Sequence, residues 1–248
     1  MRHRLGKLPA RHDPRTFKLA APLVARLPVI PPSCDWTDGC EFQPWGNDQY
    51  GDCAFAGQAA QILAWTKAAQ APVSLSTEDC LANYSACTGF NPDVPGSDQG
   101  TVLLDALNRW TREGYQRPGQ TRDYLTAYGA LPVNSIDAIC RSIAFLGGVY
   151  AGLQLPQYLV DAQGDWSLDP TQSQIPVGGH CVALLGFNHT GLIFNTWGMR
   201  KRMAWSAWLA FADEAYGLVS RENWTGITGV SPNKEDLDAL VAEMRVAT

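Results

Sequence analysis

The sequence lacks the long apolar runs of membrane and secreted proteins. None of its 248 residues fall in a hydrophobic stretch approaching the roughly 20 residues that a membrane span needs. The basic opening, MRHRLGKLPARHDPRTF, contains no run of roughly 7 to 15 apolar residues and so does not have the pattern of a secretory signal. We therefore expect no membrane partner, and a protein that is cytoplasmic or exported without a recognisable signal peptide.

Positive charge and metal-ligand spacings are also scarce. The formal net charge of −5 argues against an overall nucleic-acid-binding surface. No CxxC occurs, and the seven cysteines and four histidines do not fall at the spacings of structural zinc sites. We expect no nucleic-acid partner, no metal and no cofactor. Because seven is odd, at least one thiol stays unpaired within the chain, while Cys34 with Cys40 and Cys80 with Cys87 could form disulfides.

What is present is the composition of a globular protein of one large domain or two closely joined lobes, with 46% hydrophobic and 17% charged residues. Up to Arg26 the chain carries seven basic residues against one acid, and six prolines interrupt residues 4–32. We predict an extended basic arm over residues 1–32 and a body over residues 33–230. An apolar stripe behind an acidic first turn predicts an amphipathic helix in residues 231–248.

Periodicity divides the body into a helical half and a sheet half. Phe55, Ala59 and Ile62 recur at the spacing of a helix with one buried face. Helices are predicted over residues 53–65, 76–85, 102–112 and 135–146. Short β-rich runs follow at residues 149–153, 181–187 and 192–197. The basic residues 200–202 are predicted to be a solvated face.

Cys53 has the most informative position in the sequence. Asp52 is a natural N-cap, so Cys53 would occupy the first helical position. There the unpaired N–H groups and the helix dipole favour negative charge, and the pKa of the thiol is expected to fall until thiolate is available near neutrality. The sequence thus predicts a nucleophile that still needs a base.

His180 is the best candidate for that base. Two of the four histidines lie in the arm, and His189 lies in a turn between two strands. His180 follows two glycines and directly precedes a strand, so it stands at a strand edge that another backbone can approach. The chain then turns and brings Asn195 back to about the level of His180, where its amide can orient the imidazole.

These three residues stand in motifs that resemble those of the papain-like cysteine peptidases. A Gln-containing loop leads into the Cys helix at 44–55, the His precedes a hydrophobic strand ending in Gly-Phe at 179–187, and the family's Asn-Ser-Trp-Gly is matched by Asn-Thr-Trp-Gly at 195–198. His180 and Asn195 follow Cys53 by 127 and 142 residues, close to the roughly 130–150 of papain. The resemblance extends over residues 35–220, and residues 210–217 are similar to divergent bacterial and phage-type members.

The resemblance implies an α+β, papain-like two-lobe fold, with a helical N-terminal lobe, an antiparallel β-sheet or barrel as C-terminal lobe, and the active-site cleft between them. It also implies a cysteine peptidase that hydrolyses a peptide or protein substrate through a thioester. Cys53 would be the nucleophile, His180 the proton carrier and Asn195 the holder of the imidazole. Trp197 would shield that pair from water, and residues 98–100 would line one side of the cleft.

The chain also departs from the family pattern. The segment before Cys53 is shorter than the family's Cys-Gly-Ser-Cys-Trp, and the second Trp-Gly motif is missing. The oxyanion-hole amide is therefore ambiguous: Gln49 is our choice and Asn47 the alternative, each acting beside the Cys53 backbone N–H. Because the arm is much shorter than an inhibitory prodomain, a retained strap is expected over a removed segment. A cell-wall or isopeptide amidase with the same centre, and a non-catalytic binding module, stay open as other functions.

Overall fold

The structure is a computed structural model that describes residues 3–26, 29–117, 120–220, 239 and 241–242. The predicted amphipathic helix in residues 231–248 lies outside this part of the chain, except for Ala239, Val241 and Ala242, which are helical. Within the described residues, no helix is long and apolar enough to cross a membrane.

Helices dominate the first half of the chain. They are α1 (Ala20–Arg26), α2 (Cys53–Ala68), α3 (Thr77–Thr88), α4 (Leu103–Glu113) and α5 (Ile136–Leu146). The start of α3 is fixed by a capping box, in which the Ser76 hydroxyl accepts the Asp79 N–H at 3.1 Å and the Asp79 carboxylate accepts the Ser76 N–H at 2.8 Å. The four predicted helices are confirmed, with ends that differ by at most three residues.

α2 lies at the centre of the molecule and joins its two halves. Thirteen of its sixteen residues are buried, so the prediction of one buried face is wrong. Small residues let neighbouring elements approach it on nearly all sides, and its polar side chains are paired there. The Gln58 amide donates to Ala106 O of α4 at 3.2 Å, the Trp65 indole to Leu146 O of α5 at 3.0 Å, and the Tyr150 hydroxyl to Ala54 O at 2.7 Å.

An antiparallel sheet forms the second half. Its strands are β1 (Cys34–Asp35), β2 (Ala127–Ala130), β3 (Val149–Pro156), β4 (Pro176–Asn188), β5 (Gly191–Thr196), β6 (Met199–Ala204) and β7 (Ala212–Val219). The order is β2-β7-β3-β4-β5-β6, and β1 pairs separately with β4. Since β2 and β6 do not pair with each other in the described chain, the sheet is open and not a barrel. The three predicted strands are confirmed, and α6 (Gln157–Asp161) and α7 (Trp205–Phe211) complete the lobe.

One prediction about the arm and one about the sheet half are wrong. The arm is not extended throughout, because it contains α1. Residues 200–202 are not a solvated face but the middle of β6, where Lys201 is 3% exposed between exposed Arg200 and Arg202. The Lys201 ammonium donates to Ala162 O at 2.6 Å, and burial lowers the pKa of this lysine. Because successive side chains of a strand point to opposite faces, the charged Lys201 side chain points inward. The cost of burying its ammonium is offset by the hydrogen bond to Ala162 O.

Candidate active site

Cys53 begins α2, as predicted, but its neighbour does not cap the helix. Asp52 occupies the N-cap position without a side-chain hydrogen bond to the helix. Its carboxyl group is fully buried and instead accepts from the Cys80 thiol at 3.5 Å. Burial raises the pKa of Asp52 well above its usual range. The expected capping contact is therefore absent, because this carboxyl turns away from the free N–H groups and into the core.

The expectation of a lowered thiol pKa is wrong for the structure as it stands. Cys53 is 1% exposed, and burial raises its pKa to about 12. The backbone N–H groups of Cys181 and Gly6 oppose this shift, as does the charge of Lys7, but they do not overcome the loss of solvent. The thiol is neutral in this state.

His180 lies in β4 and is also buried, with 1% exposure. Its Nε2 is 2.8 Å from the Thr196 hydroxyl, and its Nδ1 has no hydrogen-bond partner among the described residues. Burial, assisted by the nearby His3, lowers the pKa of His180 to about 3. Cysteine and histidine are therefore both uncharged, rather than a thiolate and an imidazolium.

Asn195 returns on β5 opposite Ala183, three residues along β4 from His180. It is 5% exposed, and its Oδ1 has no partner in the described part of the chain. The hydroxyl next to it, that of Thr196, is the group bonded to the imidazole. Sequence reasoning did not single out Thr196, although the Thr of the Asn-Thr-Trp-Gly motif was visible as a second hydrogen-bonding side chain at the strand end.

Trp197 covers the imidazole. Its ring stacks on His180 with centroids 4.5 Å apart and an interplanar angle of 22°. The residue has φ 47° and the following Gly198 has φ 77°, so two consecutive left-handed residues turn the chain from β5 into β6. A Cβ at Gly198 would lie 2.7 Å from Pro44 N, which explains why glycine is needed at this turn.

The two candidates for the oxyanion-hole amide differ in environment. Gln49 is exposed. Asn47 is 2% exposed, and its Nδ2 donates to Tyr50 O at 3.1 Å within the loop that leads to Cys53.

The arm lies across the cleft between the helical half and the sheet. Lys7 N donates to Gly179 O at 3.0 Å on one wall, while Leu8 N donates to Thr101 O at 3.0 Å and Thr101 N to Gly6 O at 2.7 Å on the other. The arm thus adds a short strand between two walls, and its backbone polar groups are satisfied by both. Residues 100 and 101 line one side, as expected for the neighbouring segment 98–100.

At Gly6 the arm passes close to Gly51, in the loop that leads to Cys53. A Cβ there would lie 1.9 Å from Gly51 O, and a Cβ on Gly100 would lie 2.2 Å from Gly6 O. Only glycines allow the three backbones to come this close. Further along the arm, His3 stacks on the other face of Trp197 at 4.2 Å, and the Trp197 indole donates to Arg4 O at 3.3 Å.

All seven cysteines are free thiols. Neither Cys34 with Cys40 nor Cys80 with Cys87 is bridged, and burial raises the pKa of each of these thiols. In the part of the chain that the structure describes, no group of three or more His, Cys, Asp or Glu side chains could hold a metal ion.

Solved structures of cysteine proteases share this architecture. The chain matches xylellain, a cysteine protease from Xylella fastidiosa, over 88% of its length and 96% of xylellain, with a TM-score of 0.68 and 17% identity. It matches procathepsin L 3 of the Tenebrio molitor larval midgut over 82% and 75% of the two chains, with a TM-score of 0.57 and 18% identity. It matches a Carica candamarcensis cysteine protease in complex with E-64 over 77% and 99%, with a TM-score of 0.56 and 18% identity.

At these identities the likeness shows the fold, and the predicted α+β papain-like two-lobe architecture is confirmed. No protein-family model and no curated protein sequence matches the chain.

Proposed function

We propose that the chain is a cysteine peptidase whose own arm occupies the substrate cleft. The observation that carries the proposal is the path of the arm, which runs as an extended strand between Gly179 and Thr101 with Gly6 against the Cys53 thiol. A cleft that holds a polypeptide backbone on both sides, directly over a thiol at a helix start, is suited to peptide substrates.

Displacement of the arm would convert the neutral pair into a reactive one. The shifts in the pKa of Cys53 and His180 both have burial as their largest cause, so readmission of water reduces both. The dipole of α2 then favours the thiolate.

The reaction would proceed by acyl transfer. The Cys53 sulfur attacks the carbonyl carbon of the peptide bond, and the leaving amine takes a proton from His180 as the C–N bond breaks. The resulting thioester is then attacked by water, which gives its proton to His180. The C–S bond then breaks, the carboxyl product departs, and the Cys53 thiolate and the protonated His180 are restored.

The surroundings of His180 would keep its ring in one orientation. Nε2 is engaged by Thr196, Trp197 stacks on one face, and Nδ1 is left as the nitrogen available for proton exchange. Asn195 has a buried, unpartnered Oδ1 that could accept from Nε2–H once the imidazole is protonated. We therefore assign both Asn195 and Thr196 to positioning the imidazole.

The oxyanion would be stabilised by the Cys53 backbone N–H and one side-chain amide. Asn47 is buried but its amide already donates to Tyr50 O, whereas the Gln49 side chain is exposed, so both stay candidates for that amide. Loss of a true oxyanion donor reduces kcat by roughly 10²- to 10³-fold. Comparison of Asn47→Ala with Gln49→Ala therefore distinguishes the two, because only one of them should show a loss of this size.

The proposal is tested by peptide hydrolysis with the arm displaced by Gly6→Ala in the full chain. A fluorogenic peptide library should be hydrolysed, and Cys53→Ser should abolish this activity. The matched control is Cys87→Ser, which replaces a partly buried thiol on α3 and should leave turnover unchanged. Hydrolysis that survives Cys53→Ser would refute the assignment.

A papain-like module that does not cut is the second candidate, favoured by the neutral thiol and imidazole and by the absence of a hydrogen bond from His180 to Asn195 in the described structure. In that case Cys53, once uncovered by Gly6→Ala, should react with iodoacetamide at pH 6 no faster than Cys87. A peptidase centre should make Cys53 the faster of the two.

A further inference from the structure

The side chain of Lys7 enters a closed pocket beside the candidate centre. It has no exposed surface, and its ammonium lies 2.7 Å from Asp213 Oδ2 and 3.0 Å from Glu214 Oε1. Lys7 is the residue after Gly6 and pairs through its backbone with the cleft wall at Gly179. The lysine is therefore bound by its backbone and its side chain together, in the manner of a peptide ligand.

The pocket is built to hold these two carboxylates in place. The Gln154 amide donates to Asp213 Oδ2 at 2.8 Å, and the Tyr216 hydroxyl donates to Glu214 Oε2 at 2.8 Å. Glu214 is 3% exposed and Asp213 is 24% exposed. Groups from β3 and β7 thus each donate one hydrogen bond to these acids, in addition to the contacts with Lys7.

Gly152 of β3 provides the space for the lysine stem. A Cβ at this position would lie 2.1 Å from Lys7 Cε and 2.7 Å from Glu214 Cγ. Any other residue would close the channel through which the aliphatic chain passes. The pocket therefore combines a narrow passage beside Gly152 with an acidic end, which fits an unbranched cationic side chain.

We propose that this pocket is the specificity site of the proposed peptidase, and that it selects polypeptide substrates carrying lysine next to the residue that lies over Cys53. The inference rests on the proposed function. Lys7 of the arm occupies the position that the lysine of a substrate would take. Selectivity arises because Glu214 is almost fully buried, and an empty or uncharged occupant leaves its carboxylate without an opposite charge at Oε1. Lysine removes that penalty, whereas an isosteric apolar side chain does not.

Binding in trans tests the pocket separately from catalysis. The receptor is the full chain with Gly6→Ala and Lys7→Ala to free the cleft and Cys53→Ser to prevent turnover. The probes are a fluorescent heptapeptide with the sequence of residues 3–9, HRLGKLP, and analogues with norleucine or arginine in place of its lysine. The lysine peptide should bind at least about 100-fold more tightly than the norleucine peptide, the factor expected when a buried charge is left unpaired. The arginine peptide, whose planar head group is broader, should fall between them.

Glu214→Gln in the same receptor should remove the lysine preference, while the exposed Glu78→Gln on α3 should retain it. If Glu214→Gln does not fold, Asp213→Asn, at the more exposed carboxylate, serves the same purpose. Equal affinity for the lysine and norleucine peptides, or no binding of either, would refute the proposal that this pocket selects lysine.

The two proposals fail in different ways. If the receptor binds the lysine peptide selectively but the Cys53-containing chain hydrolyses no peptide, the lysine pocket is supported and the peptidase function is refuted. If peptides are hydrolysed without a preference for lysine, the peptidase function is supported and the lysine pocket is refuted.

Discussion

Gly6→Ala should release the arm from the cleft, and the size of its effect can be worked out from the contacts. The new Cβ would lie 1.9 Å from Gly51 O and 2.3 Å from Gly51 C, both of which are backbone atoms that cannot rotate away. Overpacking of this kind typically costs about 1–3 kcal/mol. Since about 1.4 kcal/mol is a factor of ten, the population with the arm undocked should rise by about 5- to 150-fold.

The rate at which iodoacetamide modifies Cys53 reports that population, because the thiol is buried whenever the arm is docked. Alkylation at each cysteine is quantified by peptide mapping at neutral pH, with the other six thiols as internal references. The matched control is Gly164→Ala, at a glycine where a Cβ would meet nothing within 4 Å. We expect Cys53 to be modified faster in Gly6→Ala than in the wild type, and at the wild-type rate in Gly164→Ala. An unchanged Cys53 rate in a folded Gly6→Ala protein would mean that the arm does not gate the thiol.

Three further predictions concern stability. Because the folded pKa of His180 is about 3, against 6.5 for the free side chain, the unfolded state binds more protons between these values, and stability is lost as the pH falls through that window. The difference in unfolding free energy between wild type and His180→Asn should therefore shrink by about 2 kcal/mol from pH 7 to pH 5, measured by urea titration; a constant difference would contradict the buried neutral imidazole. Asp123→Asn should cost about 3 kcal/mol, because it leaves Arg117 buried without its carboxylate at 2.6 Å, whereas Asp13→Asn, at an exposed pair, should change stability far less; equal costs would contradict the burial argument. Ser76→Ala should destabilise by about 1 kcal/mol through loss of the α3 cap, and a change in melting temperature no larger than that of a surface substitution would argue against the capping box.

Local features of the chain were predicted well because their signals are local. The helical periodicity of the first half and the short β-rich runs that became β3, β4 and β5 are each contained in a few consecutive residues. The motif around Cys53 likewise predicted that the cysteine begins a helix. These local patterns do not predict the solvent exposure of the Cys53 thiol, and that exposure decides whether its pKa is raised or lowered.

The state of the site depends on contacts between residues distant in sequence. The arm residue Gly6 meets Gly100, and Lys7 meets Asp213, a pair 206 residues apart. No periodicity or spacing connects such positions. The sequence indicated the helix dipole at Cys53, which favours a low thiol pKa, but in the folded chain burial is the largest influence and raises that pKa.

The uneven charge of the sequence is accounted for by the same contacts. Among the described residues, the basic arm meets acids of the body at three places: Arg4 with Asp98, Arg11 with Asp105, and Lys7 with its two carboxylates.

These pairs differ in what they contribute. The arginines are more than half exposed, so their ion pairs are worth about 0–1 kcal/mol each and are weakened by salt. The Lys7 pair is buried, and salt screens it little. If the lysine pocket and the close approach at Gly6 hold the arm, raising the salt concentration should scarcely change the rate at which Cys53 is modified. If the general attraction between a basic arm and an acidic body held it, salt alone would uncover the thiol.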